Sequence, residues 1–338
     1  MTITAEIPKT GTGATPIDRL HALVAADMAE TERMIHGRMG SAVSLIPDLA
    51  KHLVDSGGKR LRPLLTLAAA KACGASGGAH IKLAAAVEFV HTATLLHDDV
   101  VDASALRRGK LAANIVWGNK PSILVGDFLF SRAFELMVET GDIGVLGIIA
   151  RASSVIAEGE VMQLKSANNL ATTEEHYLKV VSAKTAALFA ASAEAGAAVA
   201  GASASLVSAF HDYAHNLGIA FQLVDDTLDY SGREAQMGKS VGDDFREAKV
   251  TLPVILAYAR ADEEARRFWS RTIEAGTQGD GDLARAIAHV QDSGAIRETR
   301  RRAQHYADVA CASLRKVPNA EIRGALIDVA EFCVSRGY

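Results

Sequence analysis

Aromatic residues are scarce in this chain, and so are cysteine and proline. Aromatic side chains make up 5% of the 338 residues, and there are only seven prolines. The three cysteines, Cys73, Cys311 and Cys333, are scattered and form no CxxC pair. Such spacing argues against a disulfide framework or a cysteine-ligated zinc site and is typical of a reducing compartment. We therefore expect a cytoplasmic protein.

The chain also lacks a strong excess of one charge and an uninterrupted apolar run. It has 36 basic and 40 acidic residues, a formal net charge of −4, which does not favour nucleic acid or an anionic membrane as partner. The longest apolar runs contain His, Asp or Gln, so no transmembrane helix is predicted. The N-terminus has no signal-peptide pattern. We expect small-molecule substrates, and these can still carry apolar tails.

Alanine is abundant, and apolar residues recur mainly with helical spacing, whereas alternating strand patterns are hard to find. The helical segments are 81–102, 121–139, 145–166, 174–199, 205–230, 252–273 and 296–314. Glycine-rich breaks separate them. The pattern predicts an all-α, single-domain helical bundle of ten or more helices with short loops. We expect residues 1–16 to be a disordered lead-in and residues 17–338 to form the domain.

The first candidate site lies at the end of a very apolar helix. Residues 81–97 are apolar nearly all round, which predicts a central, fully surrounded helix. At 100° per residue, Glu88, His91, Asp98 and Asp102 share an arc of about 80°. Two carboxylates four residues apart repel each other, and burial raises the cost unless a proton or cation compensates. Oxygen ligands suit Mg²⁺, although a single DDxxD equally fits a solvated helix end.

The acidic pattern occurs twice. The stretch FQLVDDTLDY (221–230) again ends an apolar helix with Asp225, Asp226 and Asp229, and Gln222 precedes them by one turn. Two buried helices with the same acidic ending predict two walls of one cation site. Mg²⁺ ions between the walls would bind a diphosphate and stabilise it as a leaving group.

Basic residues flank the first acidic motif. They are Lys59, Arg60 and Arg62 in GGKRLRP, and Arg107 and Arg108 in RRG. The glycine pair lets backbone approach an anion, and paired arginines bind diphosphate oxygens bidentately without a metal. Each cluster alone is typical of a solvated surface. Together with two DDxxD motifs, they predict a second diphosphate site beside the first.

These motifs resemble those of the trans-isoprenyl diphosphate synthases. GGKRLRP, EFVHTATLLHDDVVD, RRG, GDFLF, SAKTA, FQLVDDTLD and GKSVGDDFREAKVTLP occur in the family's order from about residue 40 onward. In detail the chain is similar to the long-chain branch, the octaprenyl, solanesyl and decaprenyl diphosphate synthases. The resemblance implies a bundle of the isoprenoid synthase type with a central apolar cavity, and a homodimer. One departure is Ala248, where relatives often have glycine.

The resemblance also implies roles for individual residues. Three Mg²⁺ ions per active site would be held by Asp98, Asp99, Asp102, Asp225, Asp226 and Asp229, with Asp99 supporting. The allylic diphosphate would contact Arg107, Lys184, Thr185, Gln222, Lys239 and Lys249. Isopentenyl diphosphate would contact Lys59, Arg62, His91 and Arg108. The catalytic residues would be Asp98, Asp102, Lys184 and Asp225. The functional assignment depends mainly on the resemblance for four residues, because each of them alone also fits a structural role: Lys184, His91, Lys239 and Lys249.

The implied activity is condensation of farnesyl or geranylgeranyl diphosphate with successive isopentenyl diphosphates, for quinone side chains. In the family, the residues four and five positions before the first aspartate face the growing tail. Here they are Thr94 and Ala93, whose small size predicts a long product of C40 to C50. Candidates for the floor of the tail cavity are Phe128, Phe130, Phe134 and Met137, although core packing explains most of them.

Four other functions fit parts of the sequence. A non-catalytic subunit of a heteromeric synthase would have lost motif residues, and none is missing. A shorter-chain, geranylgeranyl-length synthase remains an alternative. The adjacent residues His97 and Asp98 also fit a metal-dependent phosphohydrolase. Such an enzyme would need further histidine ligands in a pattern that the chain lacks. A terpene cyclase would not need GGKRLRP and RRG for a second diphosphate.

Overall fold

The computed structural model describes residues 14–231 and 241–335, and this part of the chain is almost entirely helical. The helices of the first half are α1 (Pro16–Leu23), α2 (Ala25–Arg38), α3 (Leu45–Val54), α4 (Leu61–Ala72), α5 (Ala79–Val101), α6 (Ala113–Trp117), α7 (Asn119–Val138) and α8 (Ile143–Ser166). Those of the second half are α9 (Glu174–Val181), α10 (Ala187–Val199), α11 (Ala204–Asp229), α12 (Asp243–Arg246), α13 (Leu252–Ala259), α14 (Glu263–Trp269), α15 (Asp282–Asp292), α16 (Ala295–Ser313) and α17 (Ala320–Ser335). The all-α prediction is confirmed.

Helix α5 is the central helix, as its all-round apolar sequence predicts. It packs against α2, α4, α7 and α10, and its residues from Leu83 to Val90 are all buried. The second motif helix, α11, packs against α10 and α16. At the two acidic helix ends, Asp99, Asp226 and Asp229 are buried, whereas Asp98, Asp102 and Asp225 are half-buried. No helix among the described residues is long and apolar enough to cross a bilayer.

Three local features differ from the predicted segments. The predicted helix 252–273 is interrupted, because Asp262 caps α14 by accepting a hydrogen bond from the backbone N–H of Ala265 at 2.8 Å. Within 174–199, the turn Ser182–Ala186 is a π-helix. A hairpin of β1 (Leu106–Arg107) and β2 (Lys110–Leu111) follows α5.

The first helix of the described residues has a well-defined N-terminal cap. Helix α1 begins at Pro16, and Thr15 and Asp18 form a capping box that satisfies its first N–H groups. Of the predicted lead-in, residues 1–13 lie outside the described residues.

Candidate active site

The first acidic wall stands at the carboxyl end of α5. The Nζ of Lys184 lies 3.9 Å from Oδ2 of Asp98, and the Nζ of Lys249 lies 2.8 Å from Oδ2 of Asp102. Burial, with a contribution from Asp102, raises the pKa of Asp98. The predicted repulsion between the two carboxylates is thus compensated by lysines from two other segments.

Asp99 has a different environment from Asp98 and Asp102. It is fully buried, and its Oδ1 accepts hydrogen bonds from Nε of Arg107, at 2.9 Å, and from Nη2. Its backbone carbonyl accepts from Nδ2 of Asn114, which also bonds the Ser104 carbonyl and so ties the hairpin region to α5. This geometry supports Asp99 as the residue that orients Arg107, and a direct bond to Mg²⁺ stays a prediction.

A chain of hydrogen bonds runs through the second wall. The Tyr177 hydroxyl donates to Oδ2 of Asp226, and Nε2 of Gln222 donates to its Oδ1 at 2.7 Å. Thr185 Oγ1 in turn donates to Oε1 of Gln222 at 3.0 Å. Burial and the nearby Asp244 raise the pKa of Asp226 well above its ordinary value. Asp226 therefore orients Gln222 and Thr185, two residues predicted at the allylic diphosphate.

Asp229 binds backbone N–H groups at the N-terminus of α12. Its Oδ1 accepts from the backbone N–H groups of Gly242 and Asp243 at 3.1 and 3.2 Å, and its Oδ2 accepts from that of Asp244 at 3.1 Å. Burial and Asp244 raise the pKa of Asp229 to about 7. Asp225, on the same helix, lies one turn before Asp229. The predicted residue Lys239 lies outside the described residues.

The π-helical turn presents Lys184 to the first wall. Lys184 Nζ donates to Oε2 of Glu160 and to Oε1 of Gln163, both at 2.7 Å. A Cβ at Gly159 would lie 2.7 Å from the backbone nitrogen of Lys184, so only glycine allows α8 to approach the turn so closely. Burial and Asp98 raise the pKa of Glu160 to about 7. Sequence reasoning missed Glu160 and Gln163, although polar residues three apart in an apolar helix are a usable signal.

Lys249 comes from the loop after α12. Ala248, just before it, has a left-handed φ of 51°, and its carbonyl accepts from the backbone N–H of Asn168 at 3.3 Å. Lys249 pairs with Glu247 at 2.5 Å as well as with Asp102. Burial opposes the charge on Lys249, but Asp102, Asp244 and Glu247 outweigh it and raise its pKa. Glycine adopts such a left-handed conformation at lower steric cost than alanine does.

The basic side of the site is built on the glycine turn before α4. A Cβ at Gly58, whose φ is 144°, would lie 2.7 Å from Nη1 of Arg108, so the glycine admits the guanidinium. Arg62 Nη1 donates to Nε2 of His91 at 3.1 Å, and its guanidinium stacks 4.4 Å from the ring centroid of Phe189. Within residues 14–231 and 241–335, the buried Nε of Arg62 has no hydrogen-bond partner. Lys59 lies at the edge, with Nζ 5.3 Å from the Phe332 ring centroid.

His91 is neutral in this environment. Burial first, and then Arg62 and Arg108, lower the pKa of His91 well below its ordinary value. A neutral ring can accept from Arg62 at Nε2, because an arginine is only a donor. Burial lowers the pKa of Arg62 to about 10, so it remains a cation at pH 7. The consecutive residues Arg107 and Arg108 join the acidic side to the basic side.

The acidic residues fit magnesium bound together with a phosphate. No group of three or more His, Cys, Asp or Glu side chains among the described residues could hold a metal ion by itself. Mg²⁺ is usually bound by one or two carboxylates together with water and substrate phosphate oxygens. Asp98 and Asp102 form such an incomplete set of hard oxygen donors, and two lysines neutralise it in this structure.

The predicted product-length positions lie on the central helix. Ala93 is fully buried in the apolar core, and Thr94 Oγ1 donates to the His91 carbonyl at 2.8 Å. Met137 of α7 is buried, and the rings of Phe130 and Phe134 pack with centroids 5.3 Å apart. Phe128, Phe130, Phe134 and Met137 contribute to the same apolar cluster as Ala93.

Three comparisons place this architecture among known proteins. The family model for polyprenyl synthetase matches residues 43–290. The chain is 43% identical to octaprenyl diphosphate synthase of Escherichia coli K12, over 95% of this chain and 99% of that protein. A polyprenyl synthase from Caulobacter crescentus, complexed with calcium and isoprenyl diphosphate, matches with a TM-score of 0.93 and 53% identity over 96% and 99% of the two chains. A decaprenyl diphosphate synthase from Rhodobacter capsulatus matches with a TM-score of 0.91 and 53% identity over 95% and 99%.

These matches cover nearly the whole chain and include both acidic walls. The chain therefore belongs to the polyprenyl synthetase family. It is a prenyltransferase, and the predicted resemblance to the long-chain branch of the family is confirmed.

Proposed function

We propose that this enzyme is a Mg²⁺-dependent, long-chain all-trans polyprenyl diphosphate synthase, which extends an allylic diphosphate with successive isopentenyl diphosphates. The observation that best supports this proposal is the placement of two acidic helix ends beside a cluster of basic side chains, with consecutive arginines between them. Arg107 is held by Asp99 on the acidic side, and Arg108 lies against Gly58 on the basic side. Each substrate diphosphate thus has its own cationic partner.

The acidic side would bind the allylic diphosphate. Asp98, Asp102 and Asp225 would hold the ions, which when bound neutralise charge on the diphosphate as it leaves. Lys184 and Lys249, now paired with carboxylates of the site, would exchange them for diphosphate oxygens. Thr185 and Gln222 are already oriented by Asp226 for the same task.

The basic side would bind isopentenyl diphosphate through Lys59, Arg62, His91 and Arg108. Its double bond would attack the allylic carbon as the C–O bond to diphosphate breaks. The new tertiary cation would then lose a proton, with the departing diphosphate as the base that accepts it. The surrounding apolar helices exclude the water that would otherwise quench the cation.

The length of the product should depend on the side chains at Ala93 and Thr94, past which we expect the growing tail to run. Replacing Ala93 by Phe would place a ring of the kind that stops elongation where the side chain is now a methyl group. We expect Ala93→Phe to shorten the product from C40–C50, as measured by chromatography of the dephosphorylated prenols. An unchanged length distribution would show that the tail follows another path.

We further infer a homodimer. Apolar side chains are exposed along the outer faces of α7 and α8, an unusual surface for a free protein. They are Ile123, Leu124, Val138, Ile143, Val155, Val161 and Leu164. Light scattering on the purified enzyme should give twice the chain mass, and a monomer would contradict the assignment. A cytoplasmic location and a role in quinone side-chain synthesis belong to the same proposal.

The decisive experiment is incubation with farnesyl or geranylgeranyl diphosphate, labelled isopentenyl diphosphate and Mg²⁺. We expect products of C40 to C50. Complete absence of condensation would favour a non-catalytic subunit, and a product of C20 or shorter would favour a geranylgeranyl-type synthase. Supplying each primer separately would identify the preferred one.

A further inference from the structure

Glu88 is a buried carboxylate on the basic side of the site. It lies on α5 one turn before His91 and is only 4% exposed, between the fully buried Val87 and Phe89. A buried ionised group is retained only at considerable cost unless it is paired. A carboxylate at this place would also repel an incoming diphosphate. Its presence therefore needs an explanation other than substrate contact.

The partner of Glu88 is Arg60, in the glycine turn. Arg60 Nη1 donates to Oε1 of Glu88, and Nη2 donates to the Val54 carbonyl at 2.8 Å. Arg60 has a left-handed φ of 45° and directly precedes α4. Residues with a Cβ rarely adopt this conformation unless neighbouring contacts maintain it. The two hydrogen bonds of the guanidinium supply those contacts, from α5 on one side and from the end of α3 on the other.

Arg60 stands between two residues assigned to isopentenyl diphosphate. Lys59 precedes it, and Arg62 follows in the first turn of α4. A change of backbone conformation at Arg60 would redirect both side chains at once. Glu88 also favours the charged forms of Arg62 and Arg108, since its negative charge acts against the burial that lowers the pKa of each.

We propose that Glu88 is a positioning residue for isopentenyl diphosphate, which acts through Arg60 by holding the 58–62 turn in its binding conformation. The proposal rests on the assignment of the basic side to this substrate. The proposal predicts the direction in which the affinity for isopentenyl diphosphate changes when Glu88 is neutralised. If Glu88 were only a nearby negative charge, its neutralisation would strengthen binding of the anionic substrate. If it positions the turn, neutralisation weakens binding.

The test is steady-state kinetics of Glu88→Gln with each substrate varied in turn. We expect KM for isopentenyl diphosphate to rise about tenfold, the effect of losing one charge-assisted hydrogen bond. KM for the allylic primer should stay within about twofold, since the contacts of the turn with Glu88, His91 and Arg108 lie on the basic side. Glu139→Gln is the matched control, because Glu139 pairs with Arg38 and Lys82 at the surface. A lower or unchanged KM for isopentenyl diphosphate, or an equal rise in both KM values, would overturn the proposal.

Two further variants separate the causes of failure. Arg60→Lys keeps the charge opposite Glu88 but cannot make both contacts, so it should reproduce the selective rise in KM even if Glu88→Gln does not fold. Arg108→Gln tests the substrate assignment itself. If Arg108→Gln raises KM for isopentenyl diphosphate and the Glu88 and Arg60 variants do not, the role of Glu88 is refuted and the assignment of the basic side to this substrate stands. If Arg108→Gln has no effect either, the assignment of the basic side is refuted.

Discussion

The acidic and basic sides of the site balance their charge in opposite ways. On the acidic side, Lys184 and Lys249 lie next to Asp98 and Asp102, so binding of Mg²⁺ and diphosphate requires these pairs to separate. On the basic side, in the part of the chain that the structure describes, Arg62 and Arg108 face a neutral His91, and Glu88 is bonded to Arg60. The basic side is therefore prepared for an anion, whereas the acidic side must exchange partners first.

The strongest test of the acidic side is removal of one carboxylate from each wall. We expect Asp98→Asn and Asp225→Asn each to lower kcat at least about 100-fold, because a cation that stabilises the leaving group loses a ligand. Asp212→Asn is a suitable control, since Asp212 is exposed on α11 and pairs with His211. Turnover near the normal rate in either site variant would show that the metal assignment is wrong.

Removal of the metal should affect ligand affinity at the acidic side of the site more than at the basic side. With a chelator present, we expect the affinity of the enzyme for an unreactive allylic thiodiphosphate to fall at least about tenfold. The reason is that the two acidic walls of the site then repel the diphosphate. Affinity for isopentenyl diphosphate should change less than about threefold, since arginines bind diphosphate without a metal. Isothermal titration calorimetry of each ligand checks this. Equal losses for both ligands would remove the distinction between the sides.

A smaller effect is expected from the packing that presents Lys184. In Gly159→Ala the new methyl group would collide with the π-helical turn, and overpacking of this kind costs about 1–3 kcal/mol. Urea unfolding should show this loss, and kcat should fall as Lys184 is displaced. The control is Gly324→Ala in α17, where a methyl group meets no atom within 4 Å and helix propensity predicts a gain of up to about 1 kcal/mol.

The neutral state of His91 sharpens the description of the basic side. Its pKa is lower in the folded than in the unfolded protein, where about 6.5 is normal. The unfolded chain therefore binds an extra proton below that pH, and stability is lost as the pH falls. His91→Gln should flatten this loss between pH 7 and 5, by up to about 1.4 kcal/mol per pH unit. Parallel pH profiles for the two proteins would mean that folding leaves the pKa of His91 unchanged.

The acidic and basic clusters of the candidate site could be proposed from the sequence because they lie in short motifs. Two carboxylates four residues apart on a helix share a face whatever surrounds them, so Asp98 with Asp102 and Asp225 with Asp229 were accessible from spacing alone. The apolar character of residues 81–97 nearly all round likewise predicted α5 as the central helix. The break at Asp262 was missed because a capping aspartate within an apolar segment resembles a polar-face residue.

What the sequence by itself determined is the all-α class, the two acidic helix ends and the basic clusters, because each depends on periodicity within one segment. Only the tertiary structure decided how the aspartates divide their tasks. Asp226 bonds Tyr177 and Gln222, Asp229 holds the loop after residue 241, and Asp99 orients Arg107. These roles depend on partners distant in the sequence, and so does the pairing of Glu88 with Arg60. Local spacing determines the helix face on which a carboxylate lies. Only the packing of distant segments determines which group that carboxylate binds.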